Sequence, residues 1–117
     1  MERIAIPIFE SRVSPVLDTC ARMLIIDFDG NSERQRSEVF LERMSINERS
    51  EVLKRWGIKK IICAGVSDLM CRLLENREIE ILKGIAGEVE KIIHAYCCGN
   101  LGDDCFCMPG RHDHKAP

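Results

Sequence analysis

Aromatic side chains make up only 5% of the 117 residues, with one Trp, one Tyr and four Phe. The interior must therefore be filled with Ile, Leu and Val, and the aromatic platforms on which single-stranded nucleic acids stack are missing. Positive charge is not in surplus either: 17 Lys and Arg face 19 Asp and Glu, for a net charge of -2 at pH 7. That balance excludes the basic footprint of a nucleic-acid binder. No apolar run approaches the ~20 residues that a membrane-spanning helix requires. The opening MERIAIPIFE carries Glu2 and lacks the basic segment and long apolar core of a secretory signal. These absences predict a cytoplasmic protein without nucleic-acid or membrane partners, and the length predicts one main domain.

Cysteine, by contrast, is abundant, with seven residues. A reducing compartment disfavours disulfides, so metal binding or thiol chemistry gains weight. Cys63 and Cys97 fall within apolar patterns and read as small core hydrophobes. Cys71 falls at the edge of an apolar stripe and reads as packing too, whereas Cys20 adjoins a loop from which it could reach a ligand. Cys98 shares an i, i+4 helical face with His94, a spacing that can clasp a transition metal, and Glu90 extends that face. The greatest density lies in CFCMPGRHDH, residues 105 to 114, where Cys105, Cys107, His112 and His114 offer four N/S donors around a Pro109-Gly110 turn. Such a set suits zinc or another soft transition metal, although Cys-x-Cys is not the spacing of a structural zinc finger. The competing reading is a flexible tail over 103–117 with incidental donors, or thiols that do redox work.

Along the chain, RIAIPIF over 3–9 alternates as a strand, RMLIIDF gives a second over 22–28, and residues 35–42 give a third. The intervening ESRVSPVLDTCA has turn chemistry but few charges, which predicts that it packs onto something. Ser45 and Glu48 form a capping box for a helix that presents Val52, Leu53 and Trp56 and stops at Gly57. KKIICAGV is a buried parallel strand, and Ser67 caps a helix with an apolar stripe of Leu69, Met70, Leu73 and Leu74. EIEILKG is another strand, and the last helix carries Ala86, Val89, Ile92, Ile93, Tyr96 and Cys97 to its stop at Gly99. The order β-β-β-α-β-α-β-α predicts an α/β fold, a mixed five-stranded sheet with flanking helices, and its topology is ribonuclease-H-like.

Two stretches, SRVSPVLDTCARMLIID and GIKKIICAGVSDLMCRLLENREIEILKGIAGEVEKIIHAYCCGNL, resemble the dinitrogenase iron-molybdenum cofactor biosynthesis family. That family is similar to the small NifX-type carriers and the matching C-terminal domain of NifB-type proteins. The resemblance covers roughly residues 3 to 102 and rests on Ser14-Pro15-Val16-Leu17-Asp18 with Ala21 shortly after, and on the Gly84-Ile85-Ala86-Gly87 turn. It implies a family-type domain over 1–102, a ribonuclease-H-like fold, and binding of metal-sulfur cofactors without a reaction of its own. Where many relatives have a second glycine before Gly65, this chain has Ala64.

Ligands of open α/β sheets settle beyond the C-terminal ends of parallel strands. If the first strand is parallel to the last two, residues 10–19, 64–68 and 84–87 meet at one edge, and two of these loops open helices whose N-termini attract anions. The candidate binding residues for an anionic iron-sulfur or molybdenum-containing cluster are therefore Ser11, Arg12, Ser14, Asp18, Gly65, Ser67, Gly84 and Gly87. No Asp or Glu lies within residues 3–9 or 59–66, which argues against a two-metal nuclease. The expected function is a non-catalytic binder or carrier of a metal-sulfur cofactor or its precursor, working with cofactor-assembly proteins. The alternatives are a redox or metal sensor using the terminal Cys and His ligands, and a protein-interaction module.

Overall fold

The computed structural model describes residues 2–30 and 32–99. Its elements are β1 (Glu2–Phe9), β2 (Arg12–Val13), a 3-10 turn (Leu17–Thr19), β3 (Arg22–Asp29), β4 (Ser32–Phe40), α1 (Ile46–Arg55), β5 (Lys60–Ile62), α2 (Asp68–Asn76), β6 (Glu80–Leu82) and α3 (Val89–Cys98). The mixed sheet is ordered β4-β3-β1-β5-β6, with β2 hydrogen-bonded to β1. β1 is antiparallel to β3 and parallel to β5, and β5 is parallel to β6. The expected five-stranded sheet thus has a sixth member, the two-residue β2. Its signal was the low charge of the loop that contains it.

Side chains alternate across β1, so Ile4, Ile6 and Ile8 pack under α3 with Leu24, Ile26, Phe28, Ile92 and Ile93. Ala5, Met23, Ile25 and Ile61 face the other way, against Leu53 of α1 and Met70 and Leu74 of α2. The central strands are covered on both faces, which is why RMLIIDFD reads as an almost unbroken apolar run. Each fully buried aliphatic side chain contributes about 1.5–3 kcal/mol, so the two core layers dominate the stability. Among the described residues, no helix is long and apolar enough to cross a membrane.

The capping box is present: the Glu48 amide donates to Ser45 Oγ at 3.1 Å, and the Ser45 amide donates to Glu48 Oε1 at 2.8 Å. Gly57 follows at φ +75°, past the end of α1. Two apolar assignments are corrected. Leu69 is 58% exposed and does not join the buried stripe of α2, because it falls in the first helical turn, above the rim of the core. Ala86 precedes α3, whose first helical residue is Val89. Beyond β5 the chain pairs with the loop after β1 through Gly65, and beyond β6 the Gly84 and Ile85 amides donate to Ala64 O and Cys63 O.

At the opposite end of the sheet, Arg3 and Asp27 are register partners on β1 and β3. The Arg3 guanidinium donates to both Asp27 carboxylate oxygens, at 2.7 and 3.1 Å, and to Trp56 O at 2.6 Å. Hydrogen bonding from Arg3 holds the Asp27 carboxyl below the ordinary aspartate range. A depressed folded-state pKa contributes stability that is present above the unfolded value of about 3.9 and is lost as pH falls through the folded value. Thermal midpoints measured across pH should therefore drop more steeply below about pH 4 in the wild type than in Asp27→Asn. Parallel curves would show that the pair is energetically silent.

Candidate functional site

β1, β5 and β6 run in one direction, so the loops that follow them, residues 10–19, 64–68 and 84–87, meet at a single edge. Main-chain hydrogen bonds join all three. The Leu17 amide donates to Gly65 O and the Gly65 amide donates to Pro15 O, both at 2.8 Å. The Val13 amide donates to Gly87 O at 3.0 Å, and the Val89 amide donates to Ser11 O at 2.9 Å. The Gly84 amide donates to Ala64 O at 2.8 Å. A Cβ at Gly65 would stand 2.8 Å from Pro15 O, so this approach of two main chains admits only glycine. Gly84 and Gly87 adopt φ of 80° and 130°, which accounts for glycine at both turns.

The structure brings the predicted binding residues to this rim, but many of their polar groups serve the protein itself. The Ser67 amide donates to Asp18 Oδ1 at 3.0 Å and the Ser67 hydroxyl donates to Asp18 Oδ2. Ser67 Oγ in turn accepts from the Met70 amide at 3.1 Å. The carboxylate of Asp18 thus sits at the N-terminus of α2, where the helix dipole favours a negative charge. Ser14 is buried, and its amide donates to Pro7 O at 2.8 Å. Ser11 and Arg12 are exposed, and their side chains have no hydrogen-bond partner among the described residues. They are the candidate donors that still face outward. The quartet Cys105, Cys107, His112 and His114, with the rest of the tail from 103, lies outside the described residues.

Cys20 is not the rim ligand that its position suggested. It is 3% exposed, and burial pushes its thiol up to about 11. Its carbonyl accepts from Arg49 Nη1, which also lies 3.6 Å from Cys20 Sγ. Arg49 is itself buried, and its Nε donates to Met44 O at 3.1 Å. This arginine pins the end of the first loop to α1, and nothing in its sequence neighbourhood distinguishes it from a surface helix residue. Burial pushes Cys63 up to about 12 and also raises Cys71. In all three, burial favours the neutral thiol over the thiolate.

A cleft of about 470 Å³ opens beside the first loop, lined in part by Phe9, Ser14, Cys20 and Phe40. Phe9 and Phe40 are 63% and 62% exposed, and with Val16 and Leu69 they make up the large exposed hydrophobics of the described residues. All four lie at the rim: Phe9 and Phe40 end β1 and β4, Val16 bridges to Gly65, and Leu69 is in the first turn of α2. The two phenylalanines were hidden in the sequence as ordinary strand residues. Among the described residues, no group of three or more His, Cys, Asp or Glu side chains is placed to hold a metal ion.

These features define a small α/β domain with an open mixed sheet, helices on both faces, and one edge built from three interlocked loops. The chain belongs to the dinitrogenase iron-molybdenum cofactor family, whose sequence model matches residues 1–99. A search of curated proteins returned no significant match. Among solved structures, that of PH0822 is similar, with a TM-score of 0.81 at 20% identity over 87% of this chain and 94% of that one. A Methanocaldococcus jannaschii protein named as a dinitrogenase aligns with a TM-score of 0.70 at 21% identity, over 84% of this chain and 89% of that one. A Thermotoga protein named as NifB aligns with a TM-score of 0.68 at 20% identity, over 86% of this chain and 90% of that one. At these identities the likeness is one of fold.

The close approach at Gly65 generates a stability prediction. Gly65→Ala should cost about 1–3 kcal/mol, the usual penalty of overpacking, read from denaturant unfolding. Gly65 is not in the left-handed region, so the loss would come from the contact with Pro15 O. An unchanged midpoint would show that the two loops are not clamped together.

Proposed function

We propose that the protein is a non-catalytic binder or carrier of an anionic metal-sulfur cofactor or its precursor, held at the rim formed by residues 10–19, 64–68 and 84–87. The observation that carries this reading is the convergence of these loops at the edge where two helices begin, in a chain of the dinitrogenase iron-molybdenum cofactor family. The strand order and directions also support the ribonuclease-H-like reading of the topology. The rim's chemistry bears on how such cargo would be held. Cys20 and Cys63 are buried in the core, so their sulfurs are not presented to cargo at the rim. What faces outward is Arg12 and the Ser11 hydroxyl. Donors of this kind grip the outer sulfides of an assembled cluster by charge and hydrogen bonds and leave its metal coordination intact. Reversible holding of that kind suits transfer between cofactor-assembly proteins.

A second reading, a protein-interaction module, is favoured by one observation: the four large exposed hydrophobics gather at the same rim. The two readings are compatible, since a carrier must meet its donor and acceptor there.

Protein purified anaerobically, or incubated with a preformed iron-molybdenum-sulfur cluster, should retain iron, molybdenum and sulfide through gel filtration. A chain truncated after Gly102 should retain them equally, and Arg12→Glu should lower occupancy at least about tenfold by reversing the rim's outward charge. Absence of cluster from the full chain, or its loss on truncation alone, would overturn the rim as the carrier site.

A further inference from the structure

The two edges of the sheet are unequal. β4 spans nine residues at one end of the strand order, whereas β6, at the other, spans three. Among the described residues, no strand pairs with the outer side of β4. The Leu41 amide donates to Ala21 O at 2.8 Å, in step with the register that sets Val39, Ser37 and Gln35 opposite Met23, Ile25 and Asp27. Bonded and non-bonded positions alternate along an antiparallel pair, so Val39, Ser37 and Gln35 turn their main-chain groups to β3, and Arg36, Glu38 and Phe40 turn theirs outward. All three of the latter are exposed. An open edge of this length is a template for another strand, and charges usually guard it. Here the charges are ordered so that they match a copy of themselves.

We propose that β4 is the edge through which two copies of this chain pair, antiparallel about a two-fold axis at Ser37. That register sets Arg36 of each copy opposite Glu38 of the other and joins both pairs through their outward amides and carbonyls. Opposite charges facing each other across two strands stabilise the pairing. The neighbouring registers that also bring outward groups together are worse, because an axis at Arg36 or at Glu38 sets like charges face to face. Within each copy the side chains are already held: Arg36 donates to Glu90 at 2.6 and 2.8 Å and to Glu33, and Arg22 donates to Glu38 at 3.2 Å. Pairing therefore orders little that is not already ordered, which removes the usual entropic cost of an exposed ion pair. Glu90, which the sequence placed on one face with His94 and Cys98, thus serves the sheet edge. The axis reverses the strand direction, so the two rims lie at opposite ends of the pair, and the pairing is independent of the carrier reading.

Sedimentation equilibrium of the reduced full-length chain should show a monomer–dimer equilibrium within about 1–500 μM, the range expected of a small interface. Glu38→Arg and Arg36→Glu each set like charges opposite one another and should each weaken dimerisation at least about tenfold. Mixed in equal amounts, the two variants bring an arginine opposite a glutamate at both pairs, so the mixture should dimerise about tenfold more tightly than either variant alone. A merely structural role for these residues would not produce that rescue. Hydrogen exchange over the same concentrations should show the Arg36 and Glu38 amides slowing as the dimer forms, with those of Ser37 and Val39 protected throughout. Far-UV circular dichroism checks that the exposed substitutions leave the fold intact; where Arg36→Glu does not fold, Glu38→Arg and the exchange pattern carry the test. Four results would overturn the proposal: a chain monomeric throughout, a dimer indifferent to Glu38→Arg, a mixture of folded variants no tighter than its components, or exchange at Arg36 and Glu38 independent of concentration.

Discussion

Main-chain pairing of the segment after β1 with the turns before α2 and α3 is the constraint on which the rim depends. A loop of ten residues with little charge would otherwise expose backbone groups that the core cannot satisfy. Here the Leu17 and Gly65 amides reach across to each other's loop, and Val13 and Ser11 pair with Gly87 and Val89 in the same manner. The helices therefore start where they do because the first loop supplies partners to the turns that precede them. Glycine at 65 is the steric condition of that arrangement.

The same constraint alters the electrostatic character of the edge. Two helix N-termini at one rim are a standing invitation to an anion, yet the protein answers part of it internally. The Asp18 carboxylate accepts from the Ser67 amide and hydroxyl at the start of α2, and Ser11 O accepts from the first amide of α3. The attraction that remains is weaker than two bare helix ends would supply, and Arg12 is the exposed cation of the first loop. The same edge also exposes Phe9, Val16, Phe40 and Leu69, so outward charge and apolar surface lie side by side there.

Much of the fold was legible in the sequence, because period-2 and period-3.6 patterns report which faces are buried. The capping box at Ser45 and Glu48, the stops at Gly57 and Gly99 and the parallel character of KKIICAGV all followed from local chemistry. What escaped was non-local. Strand β2 forms only because Arg12 and Val13 meet β1 and the turn before α3. Arg49 resembles any polar residue of an amphipathic helix until the fold places it over the Cys20 carbonyl. Asp18 could be read as a ligand from its place in the motif, but its engagement with Ser67, 49 positions away, depends on tertiary contact. The rim hydrophobics were invisible for the same reason: Phe9 and Phe40 end strands whose other apolar residues are buried, and pattern alone does not tell a strand's last residue from its core.

The soft donors divide by the same geometry. Burial converts Cys20 and Cys63 into packing residues, as it does any thiol enclosed in a low-dielectric core. Cys98 escapes this because the polar face of α3 continues past the last buried residue, Ala95, into solvent. Helix α3 spans ten residues, about 15 Å at 1.5 Å each, and it points away from the rim. Exposed soft ligands and the loop-built edge therefore occupy opposite ends of one helix. A hard, hydrogen-bonding surface at one end and a nitrogen-sulfur pair at the other therefore present different chemistry to solvent.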